Sequence, residues 1–428
     1  MPLHTATPEE PRGFSPATPA VSSPARSRET IIVGGGIAGL ACARHLHDAQ
    51  LPFVVVSENV GGRIRRSRDG TVNLGAYYVR ADYTHVNRYV QLGRRVDRLA
   101  IQRCDAEDNS NTYLDRRLVP HLPQAARFLR LLVHFRRHYA ILKQRTVGIG
   151  QAAAIRSDPK LLELYHQPAP DFIERHRLSE LASEYLEPGL HGTTFTSLSD
   201  ISAFTLLLGA LPVLVPTYEF TPMLDRLMDG FTDAVVTDTV TRVSRYGAGY
   251  HVETATNGTL TAERLVIATP TDVASRLLGL PAAKRPVGAH MFYVEGTLRD
   301  RHRRADILLF RETDATLAIA RQENGAILVS SRQRHPDFNR LFVDWRVVEH
   351  KHWDPAFHII GDDILECEQG PNLYLVGDHN IVSLEDACLT GLYAANQIIA
   401  KTQPLDDAAP RQPSLAQQHA ATAGPRRV

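Results

Sequence analysis

Gly34, Gly36 and Gly39 stand at the spacing Gly-x-Gly-x-x-Gly, inside the run Ile31-Ile-Val-Gly34-Gly35-Gly36-Ile37-Ala38-Gly39. Glycines at these intervals suit a backbone that turns tightly and then passes close to a pyrophosphate, whose charge the first turn of a following helix can meet. Gly34 would serve the turn, Gly36 the close approach and Gly39 the packing of helix on strand. The flanking residues predict the elements this requires. Thr30–Val33 is a β-branched apolar run and reads as a strand, Leu40–His47 reads as a helix, and Phe53–Val56 reads as a second strand. Glu58 follows about twenty residues beyond the glycines, where a carboxylate can accept a ribose hydroxyl; Ser57 is the alternative occupant. A lone glycine motif would suggest only a turn. Strand, glycines, helix, strand and acid in this order predict a dinucleotide site.

Asn59-Val60-Gly61-Gly62-Arg63 comes directly after the acid. Paired glycines let the backbone pass closely, and the arginine offers a planar fork to phosphate. This arrangement resembles the FAD-binding flavoproteins of the amine oxidase, protoporphyrinogen oxidase and phytoene desaturase superfamily, although the spacing from acid to Gly-Gly-Arg is shorter here. The resemblance implies FAD as cofactor, its pyrophosphate held by Gly34, Gly36, the Ile37-Ala38-Gly39 helix start, Gly61, Gly62 and Arg63. Leu373–Val376 followed by Gly377-Asp378, and then Ser383-Leu384-Glu-Asp-Ala387, is similar to the family's second flavin segment. There the acid holds the ribityl chain and the helix N-terminus, here Ser383 and Leu384, faces the flavin; alone, Gly-Asp would read as a turn. A middle block runs from a helix over Tyr218–Met228, with Thr221-Pro222 where the family has Gly-Gly, through Val235–Val243 and a hairpin to Arg264–Pro270. In the family a valine in this block, here Val240, contacts the adenine. Asn73-Leu-Gly75-Ala76-Tyr77-Tyr78 resembles the strip that runs beside the flavin ring, with Gly75 and Ala76 in contact with it.

The reaction chemistry implied is hydride transfer to flavin N5, with the protein supplying binding, orientation and electrostatics. Tyr77, Trp353 and His290 are the candidates for catalytic side chains, and His352 and His358 for lining the pocket; interior packing is the alternative for each. Two departures bear on the substrate. The strand Val287–Val294 has no lysine where many amine oxidases carry one, so His290 is the neighbouring candidate. Ser383 stands where many amine oxidases place a tyrosine, one wall of an aromatic cage that suits an amine. The missing cage wall lowers the amine oxidase reading and raises the desaturase or dehydrogenase one. The expected activity is FAD-dependent dehydrogenation of an organic small molecule at a C–N or C–C bond, with O2 or another acceptor taking the electrons. A membrane-surface isoprenoid or polyene desaturase and a non-catalytic flavin-binding scaffold are the alternatives.

The expected fold class is α/β: a Rossmann-like FAD-binding domain with a parallel βαβ sheet, interleaved with an α+β substrate domain. A chain of 428 residues exceeds one ordinary core. The FAD domain is assigned to 29–99, 223–285 and 361–403, the helical part of the substrate domain to 100–222 and its sheet part to 286–360. Residues 1–28 and 404–428, rich in Pro, Ala, Ser or Thr or polar in character, read as a disordered arm and tail. A net charge of +1 gives no general pull towards nucleic acid. Arg127–Leu142 reads as a basic amphipathic helix, which suits either a core cover or peripheral membrane contact. The longest apolar stretch, Ile201–Val215, contains Gly209 and Pro212 and reads as a buried helix and bend. Cys42, Cys104, Cys367 and Cys388 form no CxxC pair, and His350, His352 and His358 lack metal-ligand spacing, so reduced thiols, no metal and a cytoplasmic location are expected. A homodimer is possible on base rates.

Overall fold

The computed structural model describes residues 26–105, 109–113, 115–281 and 284–402. The expected arm at 1–25 and the tail at 404–428 lie outside the described residues. Residues 26–28, assigned to that arm, begin the first strand.

An eight-stranded sheet is assembled from three distant stretches of chain. With strands numbered along the chain, its order is β17 (Glu368–Gly370), β18 (Leu373–Leu375), β11 (Thr259–Ile267), β1 (Arg26–Gly36), β2 (Val54–Gly61) and β8 (Val235–Thr237), and the hairpin β9 (Val240–Tyr246) and β10 (Gly249–Thr254) pairs onto β11. The pairs β18–β11–β1–β2–β8 are all parallel. Parallel strands buried on both faces read as continuous apolar runs, and these do. Ile32, Val55 and Val266 pack with helix α1 (Ile37–Asp48) and the C-terminal helix Leu384–Thr402 on one face. Ile31, Val33, Val54, Val56, Leu265 and Ile267 pack on the other face against Tyr250 and Val252 of the hairpin.

A second sheet has seven strands in the order β16 (Phe342–Ile360), β12 (Arg285–Leu298), β15 (Ile327–Ser331), β14 (Thr316–Arg321), β13 (Ile307–Leu309), β5 (Ile101–Cys104) and β6 (Ser110–Thr112). All its pairings are antiparallel except β13–β5. A third, three-stranded sheet of β3 (Tyr78–Arg80), β7 (Thr217–Pro222) and β4 (Val90–Arg95) joins the two. The mixed α/β architecture expected from the sequence is thus present. Two local expectations are corrected. Residues 101–104 and 110–112, assigned to a helical region, are the last two strands at one side of the seven-stranded sheet. The helix expected over Tyr218–Met228 is strand β7 followed by one short turn, Leu224–Leu227, because Pro222 cannot donate inside a helix while Phe220 is buried between β3 and β4.

The 28-residue helix α2 (Leu122–Ile149) buries Phe128, Leu132, Phe135, Tyr139 and Leu142. Intervals of three and four put them on one face. That face packs against the short helices of 151–210, including Ala203–Ala210, which carries the buried Phe204, Leu206 and Leu207. The apolar side of the basic amphipathic helix is therefore a core cover. Among the described residues no helix is long and apolar enough to cross a membrane.

The sheet's two covering helices meet at Gly391. A Cβ built there would fall well inside contact distance of the Ala38 carbonyl. Gly391→Ala should therefore force the helices apart and cost about 2 kcal/mol or more, read as a lowered urea midpoint with an unchanged m-value.

Candidate functional site

The N-terminus of α1 is built from close backbone approaches. Gly34 has φ +111°, and a Cβ on it would lie 2.6 Å from the Ala268 carbonyl oxygen. Gly39 sits against Gly34 from the next turn. Gly36 is the opposite case: it is the N-cap of α1, has no side-chain cap, and a Cβ on it would meet nothing within 4 Å. The first-turn N–H groups of Ile37 and Ala38 thus lie beside open space with no acidic side chain in that turn. Uncapped donors at a helix start favour an anion.

β2 runs beyond Val56 and continues beside the glycine turn, with Gly35 opposite Val60 and Gly36 opposite Gly61. The shortened loop is therefore strand. Ser57, within it, accepts the Gly35 N–H at 2.8 Å. Glu58 projects to the other side, where its carboxylate accepts the Thr239 hydroxyl at 3.1 Å. Thr239 immediately precedes Val240, so the structure brings Glu58 and Val240 together. The division of labour between Ser57 and Glu58 follows from strand alternation: one caps the glycine backbone, the other is left exposed with acceptor capacity.

Arg63 and Asp378 form a bidentate pair. Arg63 Nη1 reaches Asp378 Oδ2 at 2.7 Å and Nη2 reaches Oδ1 at 2.6 Å, while Nη1 also donates to the Ala356 carbonyl at 2.9 Å. Burial pushes the Asp378 carboxyl up, but the guanidinium outweighs it and holds the pKa below the ordinary value. Gly377 donates its N–H to the Thr390 hydroxyl at 2.8 Å, which ties this turn to the C-terminal helix. The neighbouring His379 is pulled down to about 4 by burial and is neutral. Its Nε2 lies 3.1 Å from the Val376 carbonyl and its Nδ1 2.9 Å from the Thr271 hydroxyl.

Gly75 and Ala76 lie on this pair. Ala76 donates to the Arg63 carbonyl at 2.9 Å, and a Cβ on Gly75 would clash with that carbonyl. Trp353 Nε1 donates to Leu74 O at 2.7 Å, and its ring lies 3.4 Å from the same imagined Cβ. Tyr77 and Tyr78 stand edge to face at 4.7 Å, and Phe195 stacks on Phe357 at 5.2 Å, all in one apolar cluster with Trp353. Burial pushes the Tyr77 hydroxyl up to about 12. Tyr77, Trp353, Gly75, Ala76, Arg63 and Asp378 are thus brought together.

His290 is not. β12 presents Val287, Ala289, Met291 and Tyr293 to this cluster. Alternation turns His290 to the other face, where it stacks on His352 at 4.0 Å and lies 3.0 Å from His350 Nε2. The expectation that His290 and His352 line the site is therefore corrected; the period-two pattern of β12 carried the information. His358 is buried, with Nε2 3.8 Å from Asp272. Among the described residues no group of three or more His, Cys, Asp or Glu is placed to hold a metal.

Ser383 does not form a wall either: its hydroxyl lies 3.3 Å from the Asp386 N–H and 3.4 Å from the Tyr83 hydroxyl, as a cap for the helix that begins at Leu384. The first turn of that helix holds two fully buried carboxyls that no local sequence pattern marks. Glu385 accepts from the N–H groups of His85 and Val86 and from Thr84, and these with the His85 ring hold it low against the upward push of burial. Asp386 accepts the Tyr139 hydroxyl of α2, and burial raises it to about 6. Lys284 is a further omission. It donates to Tyr165 OH at 2.7 Å and Asn380 O at 2.9 Å, and burial lowers it to about 8. A single lysine in a connecting segment gives no spacing by which to find it.

A sequence model for flavin-containing amine oxidoreductases matches residues 37–290, more than half of the chain. The chain belongs to this family. Flavin amine oxidase B of Bos taurus is 38% identical over 65 residues, 14% of this chain and 12% of that relative. The matched stretch thus spans about an eighth of that relative's length. Among solved structures, putrescine oxidase bound to putrescine superposes with a TM-score of 0.67 at 15% identity, covering 88% of this chain and all of the other. Cyclohexylamine oxidase from Brevibacterium oxydans superposes with a TM-score of 0.59 at 16% identity, covering 87% and 98%. These likenesses carry the fold. As a flavin-containing amine oxidoreductase the chain takes FAD, and the open, uncapped α1 terminus beside Gly36, with a guanidinium at Arg63 and an exposed carboxylate at Glu58, fits a dinucleotide.

Asp386 gives a pH test. Its folded pKa of about 6 exceeds the ordinary 3.8, so the folded state holds the extra proton between these values. Stability therefore falls as pH rises through that window and stays reduced above it. In Asp386→Asn the amide can still accept from Tyr139 and, once the Gln151 amide whose Nε2 now faces Asp386 Oδ1 turns over, can donate to Gln151 Oε1, which is buried and unpaired. The variant should gain about 1–3 kcal/mol in urea unfolding at pH 8 and nothing at pH 4; an equal gain at both would exclude titration as the cause.

Proposed function

We propose that the protein is an FAD-dependent oxidoreductase that dehydrogenates an organic amine, oxidising a C–N unit and passing the electrons to O2 or another acceptor. When bound, FAD supplies N5 as the hydride acceptor. The α1 terminus and Arg63 would meet its pyrophosphate charge, Asp378 would orient that arginine, and Glu58 with Thr239 and Val240 would hold the adenosine end. Gly75, Ala76 and Trp353 would form one side of the ring site. Tyr77, Phe195 and Phe357 would exclude water and offer ring faces to the substrate.

The observation that carries this reading is the convergence of the Arg63–Asp378 pair, the Gly75–Ala76 backbone and the aromatic cluster where the two large sheets meet. An apolar, aromatic enclosure suits an amine presented neutral, because a charged ammonium holds the electron pair that must assist C–H cleavage. The oxidases it resembles in fold are those of putrescine and cyclohexylamine, which supports an amine as the substrate class.

A second reading is dehydrogenation of an apolar C–C bond. It is supported by the site face of β12, Val287, Ala289, Met291 and Tyr293, which carries no lysine, and by Ser383 acting as a helix cap. Anaerobic mixing separates the readings. Bleaching of the flavin band by a primary or secondary amine is the expected result; bleaching by an isoprenoid or polyene alone favours the second, and no bleaching by either sinks both in favour of a scaffold.

Cofactor retention tests the holding residues. Arg63→Ala should raise the Kd for FAD about tenfold or more, since a charge-assisted bond to phosphate contributes about 1.5–3 kcal/mol. The flavin-to-protein absorbance ratio after purification reads it, and an unchanged ratio would remove Arg63 from the site.

A further inference from the structure

β16 is a 19-residue strand at the edge of the seven-stranded sheet, and among the described residues no strand pairs with its outer side. A long edge offers unpaired N–H and C=O groups along its length. Its first half is exposed and carries apolar side chains: Val343 is 67% exposed, Trp345 42% and Val348 38%. Between them run charges of alternating sign, Asp344-Trp-Arg346-Val-Val-Glu349-His-Lys351.

We propose that this edge is a homodimer interface, two copies pairing antiparallel about a two-fold axis between Val347 and Val348. That register sets Asp344 opposite Lys351, Arg346 opposite Glu349 and Trp345 opposite His350 of the second copy. Every charge meets its opposite, and each pair occurs twice by symmetry. Neighbouring registers are disfavoured. A slip of one pair in one direction sets Asp344 against Glu349, and in the other sets Arg346 against Lys351, and like charges directly opposite destabilise a ladder.

The faces agree with this register only because β16 has a bulge. Tyr293 pairs with Glu349 and Val294 with Val347, which leaves Val348 as an extra residue. Asp344, Arg346, Glu349 and Lys351 accordingly pair with Thr297, Glu295, Tyr293 and Met291, alternate residues of β12 that share one face. Trp345 and His350 pair with Gly296 and Phe292 on the other. Without the extra residue Asp344 and Lys351 would project from opposite faces and could not meet across a perpendicular two-fold axis. The eight residues 344–351 give a ladder of roughly 26 Å at ~3.3 Å per residue. Arg346 is 73% exposed even with its own-chain partner Glu295, so its remaining donors are free to a second copy.

This interface is independent of the reaction, and sedimentation velocity of the flavin-loaded protein over a concentration series tests it. The wild type should show a monomer–dimer equilibrium. Arg346→Glu turns two attractive cross-strand pairs repulsive and should raise the dimer Kd about tenfold or more. The double variant Arg346→Glu with Glu349→Arg reverses the pair without removing it and should restore dimerisation. Retained flavin absorbance in both variants reports an intact fold. A wild type monomeric at every concentration, an Arg346→Glu protein that dimerises unchanged, or a double variant that stays monomeric would each overturn the proposal.

Discussion

The cofactor end of the molecule depends on how closely three stretches of backbone approach the first turn of α1. Gly34 abuts Ala268, Gly39 abuts Gly34, and Gly391 abuts Ala38. A side chain at any of these would hold β11, β1 or the C-terminal helix away. The helix start would then lose the geometry that leaves its N–H groups facing open space at Gly36. The constraint is steric before it is chemical. It also explains why segments nearly 360 positions apart in the chain form one sheet and one helical layer: residues 31–56, 265–267 and 373–376 supply interlocking apolar strands, and the glycines set how tightly the helices lie on them.

Charge is organised around that junction by burial. Arg63 and Asp378 satisfy each other while the Ala356 carbonyl takes a third N–H and two guanidinium donors are left over, so the site keeps a cation near the helix start without an isolated charge in the interior. Glu385 and Asp386 are consecutive, fully buried and in the same first turn, yet they move in opposite directions. Glu385 is surrounded by N–H donors and remains ionised; Asp386 has a hydroxyl donor and an amide 3.5 Å away, too little to offset desolvation. The first ties the C-terminal helix to residues 84–86 of the cofactor side. The second ties it to Tyr139 of α2, so the C-terminal helix is anchored to both places.

The cofactor elements were legible because their physics leaves marks on residue type. A backbone that must bend left-handed or pass within contact distance selects glycine, and strands buried on both faces are apolar throughout. Gly34, Gly39 and Gly75 therefore stand out in a single sequence, and Arg63 and Asp378 can be read from the glycines beside them. The other side of the site left weaker marks. His290 stands out by type, but its face is set by strand parity, and Ala289 and Met291, which do face the site, are unremarkable as residues. Strand β7 is hidden because Tyr218–Met228 reads as a helix by itself, while the partners that make its first half a strand lie at 78–80 and 90–95. Asp386 and Lys284 owe their character wholly to burial, which no local pattern reports.

The same strand, β16, forms part of the site and of the proposed interface, and its bulge at Val348 is what allows both. Trp353 pairs with Ala289 and so faces the aromatic cluster. Counting back in steps of two from Trp353 keeps Lys351 and Glu349 on that face; beyond Val348 the parity changes, so that Arg346 and Asp344 join them while Trp345 and Val347 take the other side. A regular strand would have had to choose between an inward Trp353 and a charged stripe of constant face. One inserted residue separates the two requirements. Changes at the exposed half of β16 can therefore alter association while the register that places Trp353 against Leu74 is set by the buried half, Ala356–Ile359, with Val287 and Ala289.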